Sequence, residues 1–174
     1  MSALVIRDAR AEDAEDIAGV HVRSWQAAYR GLIDQSVLDG LSVDERAAGW
    51  RRILAEPLPT SLGTLVAVRD DLLIGWASLG SGRDPDGLVD GEVYGIYADP
   101  SAWSTGAGHA LLVAAEQRIT EAGHDRAYLW VLDGNERADA FYARHGWLED
   151  GAIKIEERPQ FTLREHRRVK TLAA

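Results

Sequence analysis

The sequence predicts an α+β fold, a mixed and mostly antiparallel sheet with helices on both faces in an α/β/α sandwich. Three observations carry this. Gly91 to Leu112 (GEVYGIYADPSAWSTGAGHALL) reads as a strand, a glycine-bearing loop and a helix. Leu62–Arg69 and Leu72–Leu79, joined around Asp70-Asp71, read as an antiparallel hairpin. Arg126 to Leu132 is apolar on both faces, the pattern of a central strand.

In chain order, Leu4-Val5-Ile6-Arg7 is a short first strand. A helix follows from Ala9 to Arg30, with Ile17, Val20, Ser24, Ala27 and Ala28 on one face and Gly31 at its end. Trp25 and Tyr29 lie four apart and meet on one side of it. They either plug the core or wall a pocket. Asp34 to Leu41 is a short helix or turn. Ser42, with Glu45 three residues on, is a capping-box start for a helix through Ala55, whose core face is Trp50, Ile53 and Leu54. Glu56-Pro57-Leu58-Pro59-Thr60 breaks it.

After the hairpin, Gly80 to Gly91 (GSGRDPDGLVDG) is the segment expected to move. In the next strand, Gly95 suggests a bulge or a close backbone approach. Asp99-Pro100 stops that strand. Ser104 or Thr105 caps the following helix, Gly106 and Gly108 sit in its first turn, and Leu111, Ala115 and Ile119 form its buried stripe. Asn135 begins a helix carrying Phe141 and Tyr142. Trp147–Glu156 and Phe161–Leu172 close the chain as a strand pair around Arg158-Pro159.

A length of 174 residues is enough for one domain, 1–174, with a sizeable core. The chain has no cysteine, which excludes disulfides and a cysteine acyl-enzyme. The start MSALVIRDARAED meets charge too soon for a signal peptide, and no apolar run reaches membrane-spanning length, so the expected location is the cytoplasm. A net charge of −9 argues against nucleic acid as partner. It favours a cationic substrate such as an amine, or simply serves solubility. The five histidines have no metal-ligand spacing, and no metal is expected.

A helix N-terminus attracts phosphate, and glycines let it come close, although a strand–GxG–helix unit also serves tight packing. Gly106-Ala107-Gly108-His109-Ala110-Leu111 lacks the third glycine of the dinucleotide fingerprint, and no Gly-Lys-Ser/Thr follows. A second stretch narrows the reading. The strand Tyr128–Val131 is followed by Asn135-Glu136-Arg137-Ala138-Asp139-Ala140-Phe141-Tyr142 and then Gly146-Trp147.

Together the two stretches resemble the GNAT family of N-acetyltransferases. Its pattern is a strand ending before a proline, then Arg/Gln-x-x-Gly-x-Gly/Ala, and later a strand, an Asn, a Phe-Tyr and a Gly-aromatic pair. All parts occur here in order, and the resemblance runs from Val5 to about Lys170.

The resemblance implies a GNAT-like fold with acetyl-CoA as cosubstrate and a primary amine, small molecule or peptide, as acceptor, attacking directly in a ternary complex. A homodimer is a common outcome in the family. The loop Trp103, Ser104, Thr105, Gly106, Ala107, Gly108 and His109 would meet the pyrophosphate. The backbone at Ile96, Tyr97 and Ala98 would pair with pantetheine and polarise the acetyl carbonyl, and Asn135, otherwise a plain helix cap, would contact the same arm. Trp25, Tyr29 and Glu92 would border the acceptor. Glu92, eleven residues before Trp103, matches the family's catalytic glutamate. A base is required because an amine of pKa ~10 is mostly protonated at neutral pH. The alternative for Glu92 is an exposed acid at a strand start. Tyr142 would protonate the departing thiolate or hydrogen-bond to it, or else is a core aromatic beside Phe141.

One departure stands out. Trp103-Ser104-Thr105 stands where the family carries Arg or Gln and often a further basic residue, which leaves backbone N–H groups, hydroxyls and His109 for the phosphates. That departure keeps a second reading open, a GNAT-fold protein that binds CoA or a partner without turnover.

Overall fold

The computed structural model describes residues 3–86 and 90–172. Its strands are β1 (Val5–Asp8), β2 (Ser61–Arg69), β3 (Leu72–Ser81), β4 (Gly91–Ala98), β5 (Arg126–Leu132), β6 (Leu148–Glu157) and β7 (Thr162–Thr171). Its helices are α1 (Ala14–Ala28), α2 (Gln35–Asp39), α3 (Val43–Ala55), α4 (Ala107–Glu121) and α5 (Glu136–Arg144). The strands form one seven-stranded sheet in the order β1-β2-β3-β4-β5-β7-β6. All pairs are antiparallel except β4–β5. Among the described residues no helix is long and apolar enough to cross a membrane.

Alternation along the strands sorts side chains to two faces. Val66 and Trp76 face α1 and α3, packing with Ile17, Val20, Ala47 and Trp50. Leu65, Ala67, Ala77 and Leu79 face α4, whose Leu111, Leu112, Ala115 and Ile119 are fully buried. Removing such a side chain down to alanine costs about 2–5 kcal/mol, so this stripe fixes where the N-terminus of α4 lies. Gly91 permits the close crossing, since a Cβ there would fall 2.2 Å from Ile119 Cγ2.

The hairpin turns on Asp70 and Asp71, with φ of 52° and 62°. A two-residue hairpin loop of type I′ requires positive φ at both positions, and aspartate tolerates it. The bulge expected at Gly95 is present: Ser78 pairs with Gly95 but Leu79 with Val93, so β4 carries one extra residue there.

Four local expectations need correction. Ile53 is 48% exposed, because Trp50 and the half-buried Leu54 suffice to seal α3. Residues 9–13 precede the first helix as coil and a single 3-10 turn. Ser42 accepts from the Glu45 N–H at 3.2 Å, one half of a capping box. Neither Ser104 nor Thr105 caps α4; the cap is Gly106, at φ 92°, after a 3-10 turn at Pro100–Ala102. The Thr105 hydroxyl instead donates to the Ala102 carbonyl at 2.7 Å.

Of the segment expected to move, residues 87–89 lie outside the described residues. Its first part is tied down. The Tyr128 hydroxyl accepts from the N–H groups of Arg83 and Asp84, Trp130 Nε1 donates to Asp84 at 2.8 Å, and Arg167 binds Asp86 through two hydrogen bonds.

Candidate active site

The β4–β5 ladder consists of Gly91↔Ala127 and Glu92↔Tyr128 and then stops. The two strands diverge beyond it, and a cavity of about 730 Å³ opens along the gap. Its walls come from the end of α1, from β4 and β5, from the turn before α4, from α5 and from the β6–β7 pair. Divergence leaves the β5-facing peptide groups of residues 93–98 without a strand partner, a row of donors and acceptors facing the cavity. Ile96, Tyr97 and Ala98 all line it. The Ala98 carbonyl is already engaged, accepting from Ser24 Oγ and Trp103 Nε1, each at 3.0 Å.

At one end stands the turn into α4. Trp103, Ser104, Gly106, Gly108 and His109 line the cavity, while the side chains of Thr105 and Ala107 do not. Ala107 is fully buried in the core beneath the helix. Trp103 fastens the turn to the end of β4 and carries the Arg137 guanidinium on its ring, 3.4 Å from the centroid. Arg137 and Arg144, both on α5, also line the cavity. The loop itself lacks a cation, and α5 supplies two. Sequence reasoning missed them because the arginine that meets Trp103 lies thirty-four positions away in the chain.

His109 Nδ1 and His145 Nε2 are 2.8 Å apart, and His145 Nδ1 is 2.7 Å from the Phe141 carbonyl. That carbonyl can only accept, so His145 carries its proton on Nδ1 and, when neutral, accepts from His109 at Nε2. His109 then presents an acceptor Nε2 to its surroundings unless a ring gains a proton. Asn135 caps α5, accepting from the Ala138 N–H at 3.2 Å, and also lines the cavity.

Tyr142 lies at the middle of the cavity wall, 8% exposed. Burial, reinforced by the neighbouring Tyr97, pushes its pKa well above the ordinary tyrosine value. Among the described residues its hydroxyl has no hydrogen-bond partner.

Trp25 and Tyr29 are both buried and both line the cavity, their rings edge to face with centroids 5.0 Å apart. The Tyr29 and Tyr97 hydroxyls are 2.9 Å apart, and burial raises the pKa of each. They belong to a core cluster with Leu38 and Leu163 and also line the cavity.

Glu92 is 2% exposed, not a surface acid. Its Oε2 accepts from the Arg83 N–H, Arg83 Nε and the Tyr128 hydroxyl at 2.9–3.0 Å, and its Oε1 from Arg83 Nη2 at 2.7 Å. Three donors crowd one oxygen and a single donor meets the other. The Arg83 guanidinium lies 4.0 Å over the ring of Tyr94. A second, smaller cavity of about 470 Å³, walled by Trp50, Leu58 and Trp76, adjoins the first at Arg83, Tyr94 and Gly95.

Asp139, Glu149 and His166 bring ligand atoms within 4.8 Å of one another. Arg168 already fills that space, with Nη2 2.9 Å from Asp139 and 3.1 Å from Glu149, so the cluster is an ion-pair network.

Comparison with known proteins places this geometry among acetyl-transfer folds. The sequence model of the acetyltransferase (GNAT) family matches residues 12–147. A Bacillus subtilis protein named uncharacterized N-acetyltransferase YuaI is 31% identical over 134 residues, 76% of this chain and 73% of that protein. The mycothiol acetyltransferase of Acidimicrobium ferrooxidans is 37% identical over 90 residues, 51% of this chain and 28% of that longer protein. Among solved structures, the PaiA N-acetyltransferase from Thermoplasma acidophilum in complex with coenzyme A superposes with a TM-score of 0.72 at 21% identity, over 97% of this chain and 99% of that one. YncA from Salmonella typhimurium, solved with its cofactor acetyl-CoA, gives 0.71 at 18% identity over 99% and 96%.

Proposed function

The chain belongs to the acetyltransferase (GNAT) family, and on that premise we propose that it transfers the acetyl group of acetyl-CoA to a primary amine, of a small molecule or a peptide, in a ternary complex. The observation that carries this reading is the cavity along the gap between β4 and β5, where Tyr142, whose hydroxyl has no hydrogen-bond partner among the described residues, lies beside the unpaired edge of β4.

The residues present fit acetyl-CoA. The N-terminus of α4 offers backbone N–H groups to the diphosphate, with Gly106 and Gly108 allowing close approach. Arg137, held on Trp103, and Arg144 add the positive charge that the turn lacks. The free edge of β4 offers peptide groups to the amide-bearing arm. The cosubstrate supplies an acyl group activated as a thioester.

The chain's part in the reaction follows. Glu92 Oε1, the less occupied of its two oxygens, takes a proton from the acceptor amine. Peptide N–H groups of residues 96–98 hold the negative oxygen that develops as the amine nitrogen bonds to the carbonyl carbon. Tyr142 gives its proton to the sulfur as the carbon–sulfur bond breaks, and regains one from water. The rings of Trp25 and Tyr29 keep water from the acceptor side. The cytoplasm, as a source of acetyl-CoA, is the compartment this reading requires.

The four donors on Glu92 favour a second role for it, as the clamp that holds Arg83 and the start of the following loop against β4. Thiol release from acetyl-CoA with an amine panel tests the reaction, and Glu92→Gln separates the two roles. Loss of about 10²–10⁴-fold in kcat/KM at neutral pH, shrinking at high pH where free amine is abundant, marks a base. An unchanged pH profile with lowered thermal stability marks the clamp. Absence of thiol release with every amine would remove the catalytic reading.

A further inference from the structure

Arg46 reaches from α3 onto the face of Trp25, its Cζ 5.5 Å from the ring centroid. Arg158, in the turn between β6 and β7, approaches the same ring at 6.0 Å and lines the cavity. Arg46 is half-buried and has no hydrogen-bonded acid among the described residues. Burial and the charge of Arg158 hold its pKa below the usual arginine value, opposed in part by Tyr97 and Glu45. Among the described residues Arg158 pairs with Glu156, and both its Nε and its Nη2 go to the same Oε1 at 2.9 and 2.7 Å. The nearby Lys154 and Glu165 pair with each other at 3.2 Å.

Two guanidiniums thus approach one aromatic ring, Arg46 half-buried with no ion pair among the described residues and Arg158 partly exposed and paired with Glu156. Burying such charge without a full set of acceptors is costly, and setting two like charges together adds to the cost. Contact with the Trp25 face offsets part of it. The positive potential is felt by His21, stacked beside Tyr97: burial and then Arg46 and Arg158 bring its pKa down to about 3. Planar guanidiniums are suited to paired oxygens of a carboxylate or phosphoryl group.

We propose that Arg46 and Arg158, over Trp25, form an anion-binding subsite for the acceptor, so that the substrates are amines that also carry a carboxylate or phosphoryl group. The proposal rests on the acetyl-transfer reading above and departs from the expectation drawn from net charge, since two arginines stand beside Trp25 although the chain as a whole is acidic.

The test follows thiol release at saturating acetyl-CoA with three arms: the common L-amino acids, aminoalkyl phosphates, and the uncharged carboxamides of the same amino acids. An anionic amine should exceed its neutral counterpart by about tenfold or more in kcat/KM, and whichever anionic arm responds identifies the oxyanion. Arg46→Gln and Arg158→Gln should each raise the KM of that acceptor about tenfold, with the acetyl-CoA KM and the rates on neutral amines unchanged. Arg46→Lys, which keeps the charge, should retain the preference. Neutral amines acetylated as well as anionic ones, or an acceptor KM unmoved in both glutamine variants, overturns the subsite and leaves acetyl transfer standing. Were no amine to release thiol, acetyl transfer itself fails. Calorimetry with the same anionic amines then decides the subsite: binding lost in Arg46→Gln supports it, and no binding to the parent protein overturns it.

Discussion

Gly108 offers a test in which stability and function move in opposite directions. It is the second residue of α4, where a Cβ would meet ring carbons of Phe141 at 3.6 Å, an ordinary contact. Alanine therefore fits the folded protein and is the better helix former by up to about 1 kcal/mol in a helix interior. At this end position a gain of about 0.5 kcal/mol corresponds to a rise of roughly 1–2 °C in Tm for a chain of this size. Aspartate should be no worse, because an acid in the first turn complements the helix dipole by about 0.3–1 kcal/mol.

Acetyl-CoA binding should suffer in both variants. On the proposed placement of the diphosphate, a methyl group at position 108 would stand where a phosphate approaches the N–H groups of α4. An aspartate adds like charge: at about 5 Å and an effective dielectric constant of ~40, repulsion from one phosphate charge is roughly 1.7 kcal/mol, more than tenfold in Kd. Differential scanning fluorimetry of the ligand-free proteins and calorimetry with acetyl-CoA provide the two readouts. The expected pattern is Tm unchanged or raised, with Kd weakened several-fold for Gly108→Ala and at least about tenfold for Gly108→Asp. Unchanged affinity in variants this stable would refute the assignment of the diphosphate to the N-terminus of α4.

Tyr142→Phe removes a hydroxyl with no hydrogen-bond partner among the described residues, so Tm and acetyl-CoA affinity should hold while kcat falls; wild-type kcat, with product release shown not to limit the rate, would leave Tyr142 a packing role. Tyr29→Phe keeps the ring against Trp25 but strips the Tyr97 hydroxyl of its partner at 2.9 Å. Stability should drop by about 1 kcal/mol and the acceptor KM should rise while the acetyl-CoA KM stays fixed; equal change in both constants would remove Tyr29 from the acceptor wall. His166 is partly desolvated, which lowers its pKa, but its hydrogen bonds to Asp133 and Asp139 win and raise it. The protonated ring thus favours the folded state, a contribution full below about pH 6.5 and lost as pH rises through the raised value. Chemical denaturation across that window should show the decline in the parent and a flatter profile in His166→Gln.

Features set by near neighbours were legible in the sequence. Leu111, Ala115 and Ile119 recur at helical spacing and are buried; Asp70-Asp71 turns the hairpin; Asn135 caps α5; Gly95 marks a bulge. Each depends on dihedral preference or on periodicity over a few residues, and neither needs the rest of the chain. The family pattern brought Glu92, Asn135 and Tyr142 into consideration, and all three line one cavity.

Tertiary structure decided the rest. β7 rather than β6 lies beside β5, a choice between strands of similar pattern made by packing. Ile53 has a core residue's chemistry but is left 48% exposed. Arg137 finds Trp103, Arg46 and Arg158 find Trp25, and Arg83 with Tyr128 closes on Glu92. Long side chains reach several ångströms from their backbone, and their partners lie from nine to more than a hundred positions away in the chain. No local preference encodes such meetings. They exist because the buried stripes of α1, α3 and α4 hold the helices at fixed places on the sheet, and the charge around the cavity follows from that placement rather than from the overall composition.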